Sequence, residues 1–206
     1  RFLSLEEIPL LLEAARGHGP GMETYVRLML YAGLRSGEAL ALRWQDVDLG
    51  RKLFHIMPRA DWTPKSKKGR VVPMPRELFE FLARRRAEIP EAVLVVEGES
   101  TPYMLKRHFR RVVTAAGLPV DGEEAVTAHT CRHSFGSHLA MKGIPLFTIG
   151  ALMGHSGAEV TKIYAHLAPG HLADAAAHLE FGNGGGDPVP ALDLDEIDGL
   201  NPEAKP

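Results

Sequence analysis

The 206 residues hold a single cysteine, Cys131, which can form no internal disulfide. That excludes a disulfide-stapled secreted scaffold and fits a reducing compartment. No apolar run approaches the roughly eighteen residues of a membrane span, and no leader pattern opens the chain; a soluble, cytoplasmic protein without membrane contact is expected. Metal-ligand spacing is equally scarce. His129 and His133 stand four apart, but no Glu follows His129 and no third ligand is evident, so no metal is expected. The net charge of −2 shows no excess of either sign, yet it is unevenly spread. Six acids and one lysine between Gly182 and Pro206 give that stretch −5, leaving +3 for residues 1–181. A basic body with an acidic tail keeps an anionic partner in play.

What is present begins with an apolar content of 45%, enough for one sizeable domain plus a tail. Ser4 and Glu7 form a capping-box pattern that opens a helix running to about Arg16. Met22 to Ala32 reads as a buried helix. Gly33 ends it and Ser36 can cap the next, which holds Arg35 at a tight corner with Glu38 in reach to orient it. Leu53–Met57 and Val71–Met74 read as short strands, with Lys65, Lys67, Lys68 and Arg70 on the hairpin between them. Such a tip is either a solvated turn or a finger lying on a phosphate backbone. A helix from Arg76 to Glu88 carries three consecutive arginines on a solvated face. In the segment Tyr103–Val113, Leu105, Phe109, Val112 and Val113 face inward while Lys106, Arg107, Arg110 and Arg111 face out, as a solvated face or a DNA contact. The expected architecture is mainly α-helical (α+β), with a small antiparallel sheet between Trp44 and Met74. Leu167–Phe181 reads as a last helix, and residues 182–206 as a Gly/Pro-rich, acidic, flexible tail.

The stretch from Thr127 to His166 is the densest in chemistry. His129 and Arg132 lie three apart, on one face of a helix, and can grip one anion together. Gly154 and Gly157 bracket His155 on a turn, and Tyr164 follows nine residues later. An Arg, two His and a Tyr without a metal-ligand pattern suit a phosphate, with the Tyr as bystander or nucleophile. Each residue has a plainer reading: His129 as a helix cap, His155 as a turn residue, Tyr164 as a buried aromatic. Cys131 is a thiol nucleophile or, more simply, a small buried helix residue.

In their order, Gly33-Leu34-Arg35-Ser36-Gly37-Glu38, the lysine hairpin, His129-Thr130-Cys131-Arg132-His133, Met153-Gly154-His155-Ser156 and Tyr164 resemble the catalytic domain of tyrosine recombinases, the phage integrase and Xer-type family. The resemblance runs from Arg1 to about Phe181. It implies a recombinase catalytic domain over residues 1–181. Family members usually place an N-terminal core-binding domain before it; no such domain is expected in this chain, which is then either a trimmed piece or a naturally short member, and the capped start at Ser4 suggests trimming. Carried over by position, Arg35 and Arg132 become the phosphate-clamping arginines, Lys65 the hairpin lysine, His129 and His155 the active-site histidines and Tyr164 the nucleophile. Lys67 and Lys68 share the tip and compete with Lys65 for its role.

The resemblance also implies the chemistry: cleavage and rejoining of duplex DNA through a 3′-phosphotyrosyl link, without metal, ATP or other cofactor. His129 is then a candidate to accept the Tyr164 proton or to hold the phosphate. Four copies assembled on DNA are implied, with a monomer expected in solution, and a nucleophile helix held back until assembly. Two other functions stay open at this point. One is a DNA-binding protein without chemistry, which would have no need of Tyr164 or Lys65. The other is a type IB topoisomerase, which shares the tyrosine–phosphate step but only relaxes DNA.

Overall fold

The structure is a computed structural model describing residues 1–65, 67–98, 102–155, 164 and 167. The expected last helix after Leu167 and the acidic tail lie outside the described residues. Among the described residues, seven α-helices and a three-stranded sheet follow in the order α1 (Glu7–His18), α2 (Pro20–Ala32), α3 (Ser36–Ala41), β1 (Val47–Asp48), β2 (Leu53–Ile56), β3 (Arg70–Pro73), α4 (Arg76–Glu88), α5 (Pro102–Ala115), α6 (Ala128–Met141) and α7 (Leu146–Met153). No helix among them is long and apolar enough to cross a membrane.

Local chemistry accounts for the element ends. Ser4 and Glu7 exchange side-chain bonds with each other's N–H groups at 3.2 and 2.9 Å, the reciprocal cap expected at the entry to α1. Pro20 starts α2 at a position whose N–H has no helical partner. At the next corner the cap differs from expectation. Arg35, not Ser36, is the N-cap of α3, and its N–H donates to the Glu38 carboxylate at 2.8 Å. Ser36 is the first helical residue and accepts from the Tyr25 hydroxyl at 2.9 Å.

The helix α2 is buried almost all round and packs against α1, α3, α4 and α6. It is the element on which the others assemble, because a helix this largely apolar has no stable place at the surface; its polar stripe of Glu23 and Arg27 is paired at 2.9 Å. The sheet is antiparallel in the order β1-β2-β3, with Phe54 opposite Val72 and Ile56 opposite Arg70. Alternation along β2 sends Phe54 and Ile56 inward. The Ala92–Val96 segment is a turn that buries Val95 and Val96, and its Leu94 bridges Arg43. As expected for α5, Leu105, Phe109, Val112 and Val113 are buried, while Lys106, Arg107, Arg110 and Arg111 are exposed.

The segment before α1 is fastened to α6. Leu3 is fully buried, its N–H donates to Ser134 Oγ at 2.8 Å, and its carbonyl meets His138 Nε2 at 2.8 Å. Two apolar clusters result. The large one spans α1 to α6, and a small one holds Ala140, Ile149, Met153 and Tyr164.

Candidate active site

Three arginines and one glutamate meet where the α2–α3 corner, β3, α6 and the end of α7 converge. Glu38 is buried at 2% exposure. Arg70 grips it with both ends of its fork, NH1 to Oε1 at 2.8 Å and NH2 to Oε2 at 2.7 Å. The Arg35 side chain reaches Oε1 at 3.2 Å, and Arg132 stands 3.9 Å from Oε2. Burial by itself would raise the Glu38 carboxyl, but the Arg70 pair, the Arg35 N–H and the Arg132 charge outweigh it and hold the group below the usual carboxylate range.

The same three guanidinium groups finish helix α7. The last carbonyls of a helix have no partner within it and carry the negative end of its dipole. Here Leu152 O accepts from Arg70 Nε at 2.9 Å, Met153 O from Arg132 at 2.6 Å and Gly154 O from Arg35 at 2.9 Å. Three successive carbonyls thus each take one arginine. Gly154 is in the left-handed region at φ 66°, and a Cβ there would sit 2.8 Å from Arg70 NH1, so both backbone and space require glycine. Arg132 also donates to Gly33 O. Gly33 has φ 60°, and a Cβ on it would lie 2.4 Å from the Phe135 ring. Burial, then the neighbouring Arg35, pushes Arg132 down to about 9, which leaves it cationic at neutral pH.

Thr127 caps α6, its hydroxyl accepting from the Thr130 N–H. That cap fixes the first turn, on which His129 stands at the surface near the arginines. Partial burial of its ring, then the charges of Arg132, Arg35 and Lys65, lower the His129 imidazole below its ordinary value. Lys65 is therefore within electrostatic reach of His129, on an exposed turn between β2 and β3. Lys67 and Lys68 are exposed on the same turn. His155 follows Gly154, partly buried, with its N–H on Gly150 O at 3.0 Å.

Tyr164 is 1% exposed. Its ring stacks on His133 with centroids 5.2 Å apart, and its hydroxyl lies 3.2 Å from His133 Nδ1 and 3.7 Å from Met153 Sδ. Gly136 supplies the space: a Cβ there would come within 2.4 Å of Tyr164 Cζ and 2.5 Å of its hydroxyl. Burial raises the phenol and Arg132 partly offsets this.

Several expectations change on this geometry. Arg70, expected on the DNA-facing tip, is turned inward with only 8% of its side chain exposed, and its bonds run to Glu38 and the Leu152 carbonyl. Arg110 is exposed but forms a two-point pair with Asp121 at 3.0 and 2.7 Å. The imidazole beside the Tyr164 hydroxyl belongs to His133, while His129, the candidate to accept its proton or to hold the phosphate, stands near the arginines. Cys131 agrees with its plainer reading as a small buried helix residue: it is fully buried and its thiol is pushed up to about 12, which removes it as a nucleophile. Among the described residues, no three His, Cys, Asp or Glu side chains converge as a metal site would require. The parts that sequence reasoning misses are Glu38 as a hub for three arginines, Arg70 as an inward residue, and His133 with Gly136 as a seat for Tyr164. A signal for the last exists, since positions 133 and 136 lie three apart on one helix face.

A fold of this topology with an arginine–histidine–tyrosine cluster at the end of α7 defines a class, and the chain belongs to the phage integrase family, whose sequence profile matches residues 1–171. It is 30% identical over 174 residues to the integrase of Haemophilus phage HP1, covering 84% of this chain and 45% of that protein. It is 32% identical over 185 residues to tyrosine recombinase XerA of Thermococcus kodakarensis, covering 84% and 60%. The catalytic domain of bacteriophage HP1 integrase superposes with a TM-score of 0.66 at 28% identity, over 86% of this chain and 94% of that one. A XerA recombinase structure gives 0.66 at 25% identity, over 88% and 66%. The chain spans between 45% and 61% of the length of the first curated relatives it matches.

Proposed function

We propose that this chain is the catalytic part of a tyrosine-type site-specific DNA recombinase. Residues 1–181 form that part, and residues 182–206 are a tail outside it. Its substrate is duplex DNA, and four copies act together on it in the cytoplasm. The observation that carries the reading is the arginine cluster beside a buried tyrosine. Three guanidinium groups against one Glu38 carboxylate leave a surplus of two positive charges. A phenolate meeting a phosphodiester brings two negative charges to phosphorus. Arg35 and Arg132 then bind the non-bridging oxygens and stabilise the five-coordinate transition state.

In the reaction, the Tyr164 oxygen bonds to phosphorus as the P–O5′ bond breaks, giving a 3′-phosphotyrosyl link and a free 5′-hydroxyl. Forming a phenolate at neutral pH from a group of pKa ~10 costs about 4 kcal/mol, and burial of Tyr164 adds to this. His133, in contact with the hydroxyl, is placed to take the proton in the stored position, and His129 once the phenol moves to the phosphate. Lys65 donates the proton that the departing 5′-oxygen needs, with Lys67 and Lys68 as neighbours along the backbone. His155 donates to a non-bridging oxygen. Attack by a different 5′-hydroxyl reverses the step and joins new partners.

The test uses nicked duplexes whose short 5′ fragment diffuses away after attack. A protein–DNA adduct that resists SDS, forms without added metal and is lost in Tyr164→Phe is the expected result. Adduct retained in Tyr164→Phe sinks the mechanism.

A further inference from the structure

We infer that Arg70 is a positioning residue: a resident counter-ion that saturates Glu38 so that Arg35 and Arg132 remain available to the scissile phosphate. This rests on the recombinase reading above. The three arginines at Glu38 are not equivalent. Arg70 spends both ends of its fork on the two carboxylate oxygens and its Nε on Leu152 O. Arg35 makes one longer side-chain contact to Glu38, at 3.2 Å, and keeps a quarter of its side chain exposed. Arg132 stands off at 3.9 Å. A bidentate arginine–carboxylate pair is the strongest arrangement these groups can make, so Arg70 occupies the carboxylate that would otherwise draw in the other two.

Arg70 cannot serve the DNA itself. It lies under the clamp, its guanidinium packed within a Cβ's reach of Gly154, whose carbonyl holds Arg35. Removing its charge leaves a buried carboxylate in reach of Arg35 and Arg132, and an uncompensated buried charge recruits the nearest cations. The consequence is competition between Glu38 and the phosphate for the same two guanidinium groups.

The experiment compares wild type, Arg70→Gln, Glu38→Gln and the double variant in single-turnover adduct formation. Two nicked duplexes are used: one with an ordinary scissile phosphodiester, one with a neutral methylphosphonate that places one charge fewer on the clamp. Arg70→Gln is expected to slow the ordinary substrate on the order of 10²-fold, the scale of a misplaced reacting group. Its deficit should shrink to about tenfold on the methylphosphonate. Adding Glu38→Gln to Arg70→Gln should recover about tenfold on the ordinary substrate, because the competing carboxylate is gone. An Arg70 that merely braces the fold gives equal losses on both substrates and no recovery in the double variant, and that result overturns the inference. Should Arg70→Gln fail to fold, Arg70→Lys, which keeps the charge but loses the fork, carries the same comparison with smaller losses. No adduct from wild type on either substrate removes the recombinase reading and this inference with it, whereas an active wild type with equal losses removes this inference alone.

Discussion

The arginine cluster and the buried Tyr164 sit side by side but are held by opposite means. Arg35 and Arg70 are fixed by charge-assisted bonds to Glu38, and all three arginines by bonds to three consecutive carbonyls at the end of α7. Tyr164 belongs to the small apolar cluster and rests on stacking, a methionine sulfur and one imidazole contact. Buried polar networks are stiff when every member is satisfied, because each alternative position leaves a charge or a carbonyl without its partner. An apolar seat discriminates less sharply, since a ring that leaves it gives up mainly dispersion attraction. The arginine cluster is thus pre-set and the tyrosine stored, which on the function proposed above is the division expected of chemistry that must wait for the correct DNA.

If the clamp is a network, its members should differ in what they contribute to folding. Arg132 is 1% exposed and satisfies Gly33 O and Met153 O. Arg132→Ala should therefore cost about 3–5 kcal/mol of stability, as breaking a buried ionic network does. Arg35→Ala removes a part-exposed side chain with one carbonyl bond and one ion pair, and should cost about 1–2 kcal/mol. Both should lose adduct formation. Chemical denaturation separates them, and equal losses of stability would break the distinction. The two carbonyls behind Arg132 are what set it apart.

The buried tyrosine invites a steric test. Gly136→Ala places a methyl 2.4 Å from Tyr164 Cζ and 2.9 Å from Met153 Sδ. Overpacking of this kind costs about 1–3 kcal/mol, and here it is relieved by expelling the tyrosine. Burial raises the Tyr164 phenol, so expulsion should move its titration back toward the ordinary value of ~10. Absorbance against pH, read as the difference from Tyr164→Phe, measures this. A midpoint that stays raised would mean the seat has adjusted around the methyl.

His129 reports on the clamp from its edge. Its pKa in the folded state is lowered, so the unfolded chain binds the proton more readily. Its contribution to stability is full above about 6.5 and is lost as pH falls from there through the lower folded value. The causes rank as burial, Arg132, Arg35 and Lys65. The imidazole titration followed by NMR should rise in Arg35→Ala and rise less in Lys65→Ala. The reverse order would place Lys65 closer to the clamp than this geometry has it.

How much of this the sequence makes legible depends on whether a signal is periodic. The caps at Ser4 and Gly33 and the two faces of α5 follow from local rules, and their elements appear within a few residues of where the sequence puts them. Arg70 escapes such a reading because Lys65, Lys67, Lys68 and Arg70 look like one solvated charge run. The correcting signal is the two-residue period of β3: Arg70 shares a face with Val72, which is buried, while Val71 between them is exposed. No local rule can show that the carbonyls of residues 152–154 are shared among arginines 35, 70 and 132. That arrangement belongs to the packing of four separate elements.

The weakest contrast lies on α5, where four exposed cations face out but are not equally placed to meet a phosphate. Arg110 is engaged by Asp121 through two bonds, and that carboxylate must be displaced before the guanidinium can neutralise DNA. Removing one cation that neutralises a phosphate should lower the salt dependence of duplex binding by about one unit of slope. Arg111→Ala should show most of that change and Lys106→Ala or Arg107→Ala a similar one, with Arg110→Ala showing less. Asp121→Asn should then raise affinity slightly by releasing Arg110. Binding isotherms at several salt concentrations decide it: equal slopes for all four alanine variants would mean that the Asp121 pair opens at no cost when DNA arrives, and unchanged slopes would remove α5 from the DNA-facing surface.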